Sequence, residues 1–323
     1  MRALRCTHFG PVGETEVLEV RDPVPGPGEV LIRVAASSVN FPDVLLAQGL
    51  YQVQPPAPFT LGSELSGEVV AVAPDVTTPA VGTRVAAAML YGAFAELAVV
   101  PAARTTLLPD GVDLELAAAF GVTFATAQHA LHTIGHVQAE QWVVVLGAAG
   151  GVGLAAVAIA SLAGARVIAA ASSPDKLAAC AAAGAEVLLD YTTEDLKARI
   201  KELTGPGAHL VIDPVGGPLC EQALRALRPG GALVVVGYAS GEIPRIATNL
   251  LLVKGISIHG LDMRAIGDAS PTVIAEANEL LFAHLAAGRL VPLIGARFAL
   301  ADATEAMQLV AERQAIGKVL VIP

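Results

Sequence analysis

The sequence predicts an α/β chain in which a doubly wound parallel sheet is inserted into a mostly β region. Three observations carry this. Short apolar runs broken by Pro and Gly fill residues 1–121. From Leu114 the rhythm changes, and apolar runs of strand length alternate with helix-length patterns. Between the first of those runs and an Ala-rich stretch lies a turn of small residues, Gly147 to Gly153. The expected division is one domain at 1–121 and 262–323, with residues 122–261 as a second domain inserted into it.

In chain order, the N-terminal runs are EVLIRVAASSVN (29–40), ELSGEVVAVAP (64–74), TRVAAAM (83–89) and AFAELAVVP (93–101). Their alternation and dense turn residues indicate irregular β structure. The later strands are expected at Trp142–Leu146, Arg166–Ala171, Glu186–Leu189, Leu210–Asp213 and Ala232–Gly237, with a weaker one at Ile256–Gly260. Val152–Ala163, Pro174–Ala183, Thr193–Thr204 and Pro218–Leu227 have helical spacing. Strands that are apolar throughout and alternate with helices form a parallel sheet covered on both faces. The tail offers an amphipathic helix (Pro271–Ala287), the run Leu290–Ala296, a short helix (Ala301–Glu312) and Lys318–Ile322. It is too short to stand alone and is expected to return to the first domain.

The turn after the first parallel strand carries chemistry. Ala148, Gly150 and Gly153 stand in the three places of a dinucleotide fingerprint, with Ala in the first. A pyrophosphate needs main-chain N–H donors and the positive end of a helix, and larger side chains would hold it off. An ordinary tight strand–helix turn is the bland alternative. After the second strand, dinucleotide folds that take NAD place an acid on the ribose 2′-hydroxyl. Here Ser172 and Ser173 stand there instead, which removes repulsion against a 2′-phosphate, and Lys176 follows to attract one. NADPH is therefore expected over NADH. A solvated surface charge is the other reading of Lys176, and Asp175 suits the first turn of a helix.

The chain has 323 residues, 54% of them hydrophobic, and a formal net charge of −10 without a basic run. Binding a nucleic-acid backbone needs clustered Lys and Arg, so no nucleic-acid partner is expected. Residues 141–165 lack charge, but their five glycines fit strand, turn and helix better than a membrane span. With no signal-peptide pattern and three dispersed cysteines (Cys6, Cys180, Cys220), a cytoplasmic, membrane-free protein is expected. His129, His132 and His136 have spacing that could align them on a helix. No fourth ligand is near in sequence and Gly135 should end the helix, so polar surface histidines are expected rather than a metal site.

The pieces VPGPGEVLIRV, SSVNFPDVLLAQGLY, LGSELSGEVVAV, FGVTFATAQHAL, GAAGGVG, VIDPVGG, LRPGGALVVVG and IGKVLVIP occur in one order across nearly the whole chain. In them the sequence resembles the medium-chain dehydrogenase/reductase superfamily, in its zinc-independent NADPH:quinone oxidoreductase (zeta-crystallin-like) branch. The resemblance implies a Rossmann cofactor domain inserted into a GroES-like catalytic domain, a homodimer, and a quinone or enone substrate. Zinc relatives bind a catalytic metal through Cys, His and a second Cys or acid. The matching stretches here are Val39-Asn40-Phe41-Pro42-Asp43, Gly62-Ser63-Glu64 and Phe120-Gly121-Val122, so Glu64 alone persists and no zinc is expected.

The resemblance also implies site residues. Asn40, Asp43 and Tyr51 surround the substrate, Asn40 orienting the nicotinamide ribose or the acceptor oxygen and Tyr51 offering its phenol to the developing oxyanion. Asp43 acts through water or simply starts a helix. Ala149, Gly150, Gly151 and Val152 meet the pyrophosphate, Lys176 the 2′-phosphate and Tyr191 the adenosine. Gly237 and Tyr238 follow the fifth strand, and Thr123 and Thr126 approach the nicotinamide. Tyr191 as a packing aromatic, and the threonines as helix-start hydroxyls, are the open alternatives. Leu45 departs from many relatives, which carry tyrosine there. An acceptor that takes hydride without a metal must delocalise charge itself, which favours quinones and α,β-unsaturated carbonyls. Two other functions remain open at this stage: an enoyl-thioester reductase, and a non-catalytic NADPH-binding sensor or structural protein.

Overall fold

In the computed structural model, which describes residues 1–323 apart from the side chain of Pro271, the chain opens with β1 (Arg2–Cys6), β2 (Glu16–Glu19) and β3 (Glu29–Val39). It continues through α1 (Phe41–Ala47), β4 (Phe59–Thr60), β5 (Glu64–Val72), β6 (Arg84–Ala88), β7 (Leu97–Pro101), β8 (Thr105–Leu107) and α2 (Leu114–Ala118). Then come α3 (Gly121–Gln128), β9 (Trp142–Leu146), α4 (Gly151–Leu162), β10 (Arg166–Ala171), α5 (Pro174–Ala182), β11 (Val187–Asp190) and α6 (Leu196–Thr204). β12 (Ala208–Asp213), α7 (Gly217–Ala226), β13 (Leu227–Val235), α8 (Asn249–Lys254), β14 (Ser257–Gly260) and α9 (Met263–Ala269) follow. The chain closes with α10 (Pro271–Ala286), β15 (Ile294–Ala299), α11 (Ala303–Ala311) and β16 (Lys318–Ile322).

These elements form two units, Met1–Val122 with Asn278–Pro323, and Thr123–Ala277. Residues 262–277, expected above in the first domain, group with the second. Leu261 donates its N–H to the Val235 carbonyl, so the chain leaves β14 still tied to the second unit's sheet, and the division falls inside α10.

In the first unit, described residues form a small antiparallel sheet, β2-β1-β4, and a larger one in the order β15-β16-β3-β5-β6-β8 with β7 also on β3. β3 is the hub. Register shifts near Leu31 and Val34 bend it, so that its first half pairs with β7 and its end with β16. At Gly67 of β5 a Cβ would run into the Arg33 carbonyl, so that close crossing needs glycine. Val30, Ile32, Leu65, Val69, Val85 and Val100 pack in one cluster, and Leu4, Phe59, Leu61, Phe94 and Met307 in another.

The second unit holds a parallel sheet in the order β11-β10-β9-β12-β13-β14. This is the doubly wound arrangement, reversing direction beside its first strand, β9. Every residue of β9 is buried, as a strand covered on both faces must be. α6 starts at Leu196 rather than Thr193, because the Asp195 carboxylate caps it by accepting from Ala198 N–H at 2.7 Å. The expected run at 290–296 is instead strand β15, at Ile294–Ala299.

Of the three histidines, His129 departs from expectation, while His136 is exposed. His129–Ile134 forms a π-helical turn that Gly135 ends. His129 is buried rather than on the surface, with Nδ1 2.9 Å from the Thr133 hydroxyl, and burial pushes its pKa down. Among the described residues no cluster of three or more metal-ligating side chains occurs, and no helix is long and apolar enough to cross a membrane.

The turn after β9 is tight. Gly147 takes φ +54°, so the tight-turn task falls one residue before the Ala148 expected for it. A Cβ on Gly153 would lie 2.5 Å from the Gly147 oxygen. Gly153→Ala should therefore destabilise the second unit by roughly 1–3 kcal/mol, read as a lower urea midpoint.

Candidate active site

The first unit buries a charged cluster where β3, β5 and β16 meet. Val319 pairs with Val39 and Leu65 with Ser37, so one step further Lys318 falls level with Asn40 and Glu64 with Ser38. Strand alternation puts Ser38 and Asn40 on one face. Lys318 is 3% exposed and Glu64 2%. The Lys318 ammonium donates to Asn40 Oδ1 at 2.7 Å, Glu64 Oε1 at 2.8 Å and the Val39 carbonyl at 3.3 Å. Glu64 Oε1 also accepts from the Ser38 hydroxyl at 2.5 Å and Asn40 Nδ2 at 2.8 Å, and Oε2 accepts from Val122 N–H at 2.9 Å. Asn40 Nδ2 gives its second hydrogen to Ser63 Oγ at 3.2 Å.

Asn40 is also where β3 hands over to α1. It caps that helix in extended conformation, with Pro42 in the first turn. Its N–H donates to Asp43 Oδ2 at 2.7 Å. Asp43 is 1% exposed, and Oδ1 has no partner within bonding distance among the described residues. Burial pushes the carboxyl up to about 7, against the pull of the Asn40 N–H, the nearby Ser63 hydroxyl and the Lys318 ammonium, with Glu64 adding to the rise. Asn40 and Asp43 are thus brought together. Tyr51 lies half-buried against the cluster that holds Val44 and Leu46, and Leu45 is half-buried on α1.

In the second unit, the residues singled out from the sequence gather at one edge of the sheet. Leu146 pairs with Ala170, and Val145 with Ile212, so β9, β10 and β12 end side by side. The turn bearing Ala149, Gly150, Gly151 and Val152 leaves β9 there and opens α4. Gly150 caps α4 without a side chain, and a Cβ on it would meet only the Gly147 oxygen, at 3.5 Å. Gly150, Gly151 and Val152 are half-buried there, and no side chain caps the helix start.

Ser172, Ser173 and Lys176 leave β10 at the same edge. Lys176 Nζ donates to Ser172 Oγ at 3.2 Å, while Ser173 Oγ accepts from Lys176 N–H at 3.4 Å and caps α5. Tyr191 follows β11 with its N–H on the Ala171 carbonyl, and its ring packs on the unit's core. Gly237 follows β13 with its N–H toward the Asp213 carbonyl, and Tyr238 beside it is exposed. Thr123 and Thr126 are buried on α3; Thr126 lies beyond the first turn, so it is no helix-start hydroxyl.

Sequence reasoning passed over Lys318, Ser38 and Ser63. The available signal was a lysine opening the otherwise apolar strand KVLVI. It also missed Asp213, whose buried carboxylate accepts from Val215 and Gly216 N–H at 2.8 Å each and shapes the turn after β12.

A two-sheet unit joined to a doubly wound one defines the class of medium-chain dehydrogenases and reductases, and the comparisons agree. Residues 26–110 match the family model for an alcohol dehydrogenase GroES-like domain, and residues 151–280 that for a zinc-binding dehydrogenase. A quinone oxidoreductase from Pseudomonas aeruginosa is 37% identical over 98% of each chain. The solved structure of Escherichia coli quinone oxidoreductase complexed with NADPH superimposes with a TM-score of 0.94 at 28% identity over the whole of both chains. A mycobacterial protein complexed with NADPH does so with 0.94 at 33% identity, again over both whole chains. The chain belongs to the quinone oxidoreductase family of the medium-chain dehydrogenase/reductase superfamily.

The Asp43 carboxyl binds its proton more tightly in the folded chain than unfolded, where 3.8 applies. The stability this adds is full below about pH 4 and is lost as pH rises through about 7. Relative to Asp43→Asn, the protein should therefore lose a few kcal/mol between those limits, at about 1.4 kcal/mol per pH unit. Urea unfolding of both proteins across that range measures it.

Proposed function

We propose that this chain is an NADPH-dependent reductase of quinones and related α,β-unsaturated carbonyls, working without zinc. The observation that carries the reading is the state of Glu64. The three stretches where zinc relatives place their ligands hold no Cys or His; their polar side chains are Asn40, Asp43, Ser63 and Glu64, and both Glu64 oxygens are already taken by donors from Ser38, Asn40, Lys318 and Val122. An internal ammonium occupies the carboxylate that a metal would need. An acceptor reduced here must spread its own negative charge, as quinones and enones do.

The carboxyl edge of the second unit suits NADPH. The small residues Ala149 to Val152 leave main-chain N–H groups of α4 open to a pyrophosphate. Lys176 and Ser172, already bonded to each other, replace the acid that would hold a 2′-hydroxyl, and form a pair that a 2′-phosphate can accept from. Ser173 keeps a hydroxyl hydrogen after capping α5. Gly237, Tyr238 and Tyr191 border the same edge, and Thr123 and Thr126 serve the nicotinamide. The bound cofactor supplies a hydride. The chain supplies the rest: Asn40 and Asp43 order the acceptor, the Tyr51 phenol donates to its oxygen, and Leu45 makes the surroundings more apolar than a tyrosine would.

The test follows NADPH and NADH oxidation with ortho- and para-quinones, enones and crotonyl-CoA. Rapid oxidation of NADPH by quinones is expected. Lys176→Ala should raise KM for NADPH by at least tenfold and leave that for NADH unchanged. Tyr51→Phe should lower kcat with NADPH affinity kept. Preference for crotonyl-CoA would instead identify an enoyl-thioester reductase, and tight NADPH binding without turnover a sensor.

A homodimer built on the second unit is supported by β14, which edges its sheet, and by the exposed Leu252 (85%) and Val253 (79%) on the preceding helix α8. Sedimentation should give twice the 32.8 kDa chain mass; a species of single mass would refute it.

A further inference from the structure

The turn after β12 is built around one buried carboxyl group. Asp213 is fully buried, and its Oδ1 accepts from both Val215 N–H and Gly216 N–H at 2.8 Å. Pro214, between the acid and its donors, brings no N–H of its own and disfavours a helical Asp213. Cys220 of α7 lies beside the group, its thiol pKa pushed up first by burial and then by Asp213. Burying a carboxyl group is costly unless it is hydrogen-bonded, and the bonds made here fix the main chain of residues 213–216.

That turn reaches well beyond itself. A Cβ on Gly147 would lie 2.7 Å from Val215 Cγ2, so Val215 is seated on the glycine turn that follows β9. Gly216 and Gly217 take φ +71° and +58°, and the loop after β13 folds onto them. A Cβ on Gly216 would meet Tyr238 Cδ1 at 2.8 Å and the Glu242 carbonyl oxygen at 2.9 Å. Main-chain bonds zip the two loops together. Val236 N–H donates to the Asp213 carbonyl at 2.8 Å, Ala239 N–H to Pro214 at 3.0 Å and Ser240 N–H to Val215 at 2.9 Å, while Gly217 N–H donates to Glu242 at 3.0 Å. The segments that leave β9, β12 and β13 are therefore one packed body. β9 and β12 are neighbours where the strand order reverses, and ligands of doubly wound sheets lie outside the carboxyl ends of the strands at that point.

We propose that Asp213 is a positioning residue for the cofactor: its two bonds hold the turn after β12 in the shape that seats Val215 on the glycine turn and locks residues 236–242, Tyr238 among them, into a wall formed before NADPH arrives. This rests on the reading of the carboxyl edge as the NADPH site. Asp213 acts through main chain, from a fully buried position, and takes no part in hydride or proton transfer. A loop already ordered loses less freedom when a ligand binds, so the effect of Asp213 falls on cofactor affinity. Its donors are main-chain N–H groups, which an amide oxygen can satisfy as a carboxyl oxygen does and a methyl group cannot.

The test compares the parent protein with Asp213→Asn and Asp213→Ala. It uses NADPH titration, hydrogen exchange of the 215–217 and 236–240 amides without cofactor, and steady-state kinetics with a quinone. Asp213→Asn should keep the exchange protection and bind NADPH close to the parent Kd. Asp213→Ala should lose protection in both segments and raise Kd for NADPH roughly tenfold, with KM for the quinone unmoved. A structural role alone predicts a lower urea midpoint for Asp213→Ala but, in the folded protein, parental NADPH binding; that result overturns the proposal. Equal loss of affinity in Asp213→Asn overturns it too, since the two hydrogen bonds would then not be the cause. Should Asp213→Ala not fold, Val215→Ala keeps the Asp213 bonds and removes the contact on Gly147. It should raise Kd for NADPH about threefold, and an unchanged Kd overturns the proposal. A parent that binds neither NADPH nor NADH overturns the reading of this edge and the proposal with it, whereas a parent that binds while every variant binds equally overturns the proposal alone.

Discussion

The buried pairing of Lys318 with Glu64 is the constraint on which the first unit's polar cluster depends. Two charges removed from water are costly, and they persist only where geometry and further hydrogen bonds are nearly complete. Here they are: Ser38, Asn40 and Val122 complete the carboxylate, and Asn40 and Val39 complete the ammonium. Satisfying those bonds forces the end of β3, the start of β5, the start of β16 and the first turn of α3 to converge. The same contacts fix Asn40, which caps α1, and so fix the turn that carries Asp43.

The second unit solves a different problem by having almost no side chains where it matters. Gly147, Ala148, Ala149, Gly150 and Gly151 keep a helix start bare, and Gly153 lets that helix sit against the turn. At the rim stand Ser172 and Lys176, bonded to each other. One unit therefore gathers buried polar side chains, and the other a turn that is almost all main chain.

That contrast explains what was legible in the sequence. The parallel sheet was, because strands buried on both faces are apolar without interruption: β9 and β10 fall at the expected residues. So was the glycine turn, a local feature of consecutive residues. Asn40 and Asp43 could be singled out by resemblance, since they lie three apart on one helix start. Lys318 could not, because its partner Glu64 is 254 residues away and only the pairing of β16 with β3 brings them level. His129 went wrong for a related reason: helical spacing says which residues share a face, not which face is covered. The boundary at 262 failed because Leu261 is tied to β13 by a main-chain bond that no side chain announces.

β16 lies between β15 and β3 in its sheet, yet it follows the whole second unit along the chain. During synthesis, the ribosome must make every residue of the nucleotide-type unit before the strand that neutralises Glu64 exists. Until then β3 shows a bare edge and Glu64 has no counter-charge, so the first unit has to wait, incomplete, for the unit inserted within it. The inserted unit, continuous in sequence, can fold first, and the order of assembly is written into where one lysine stands.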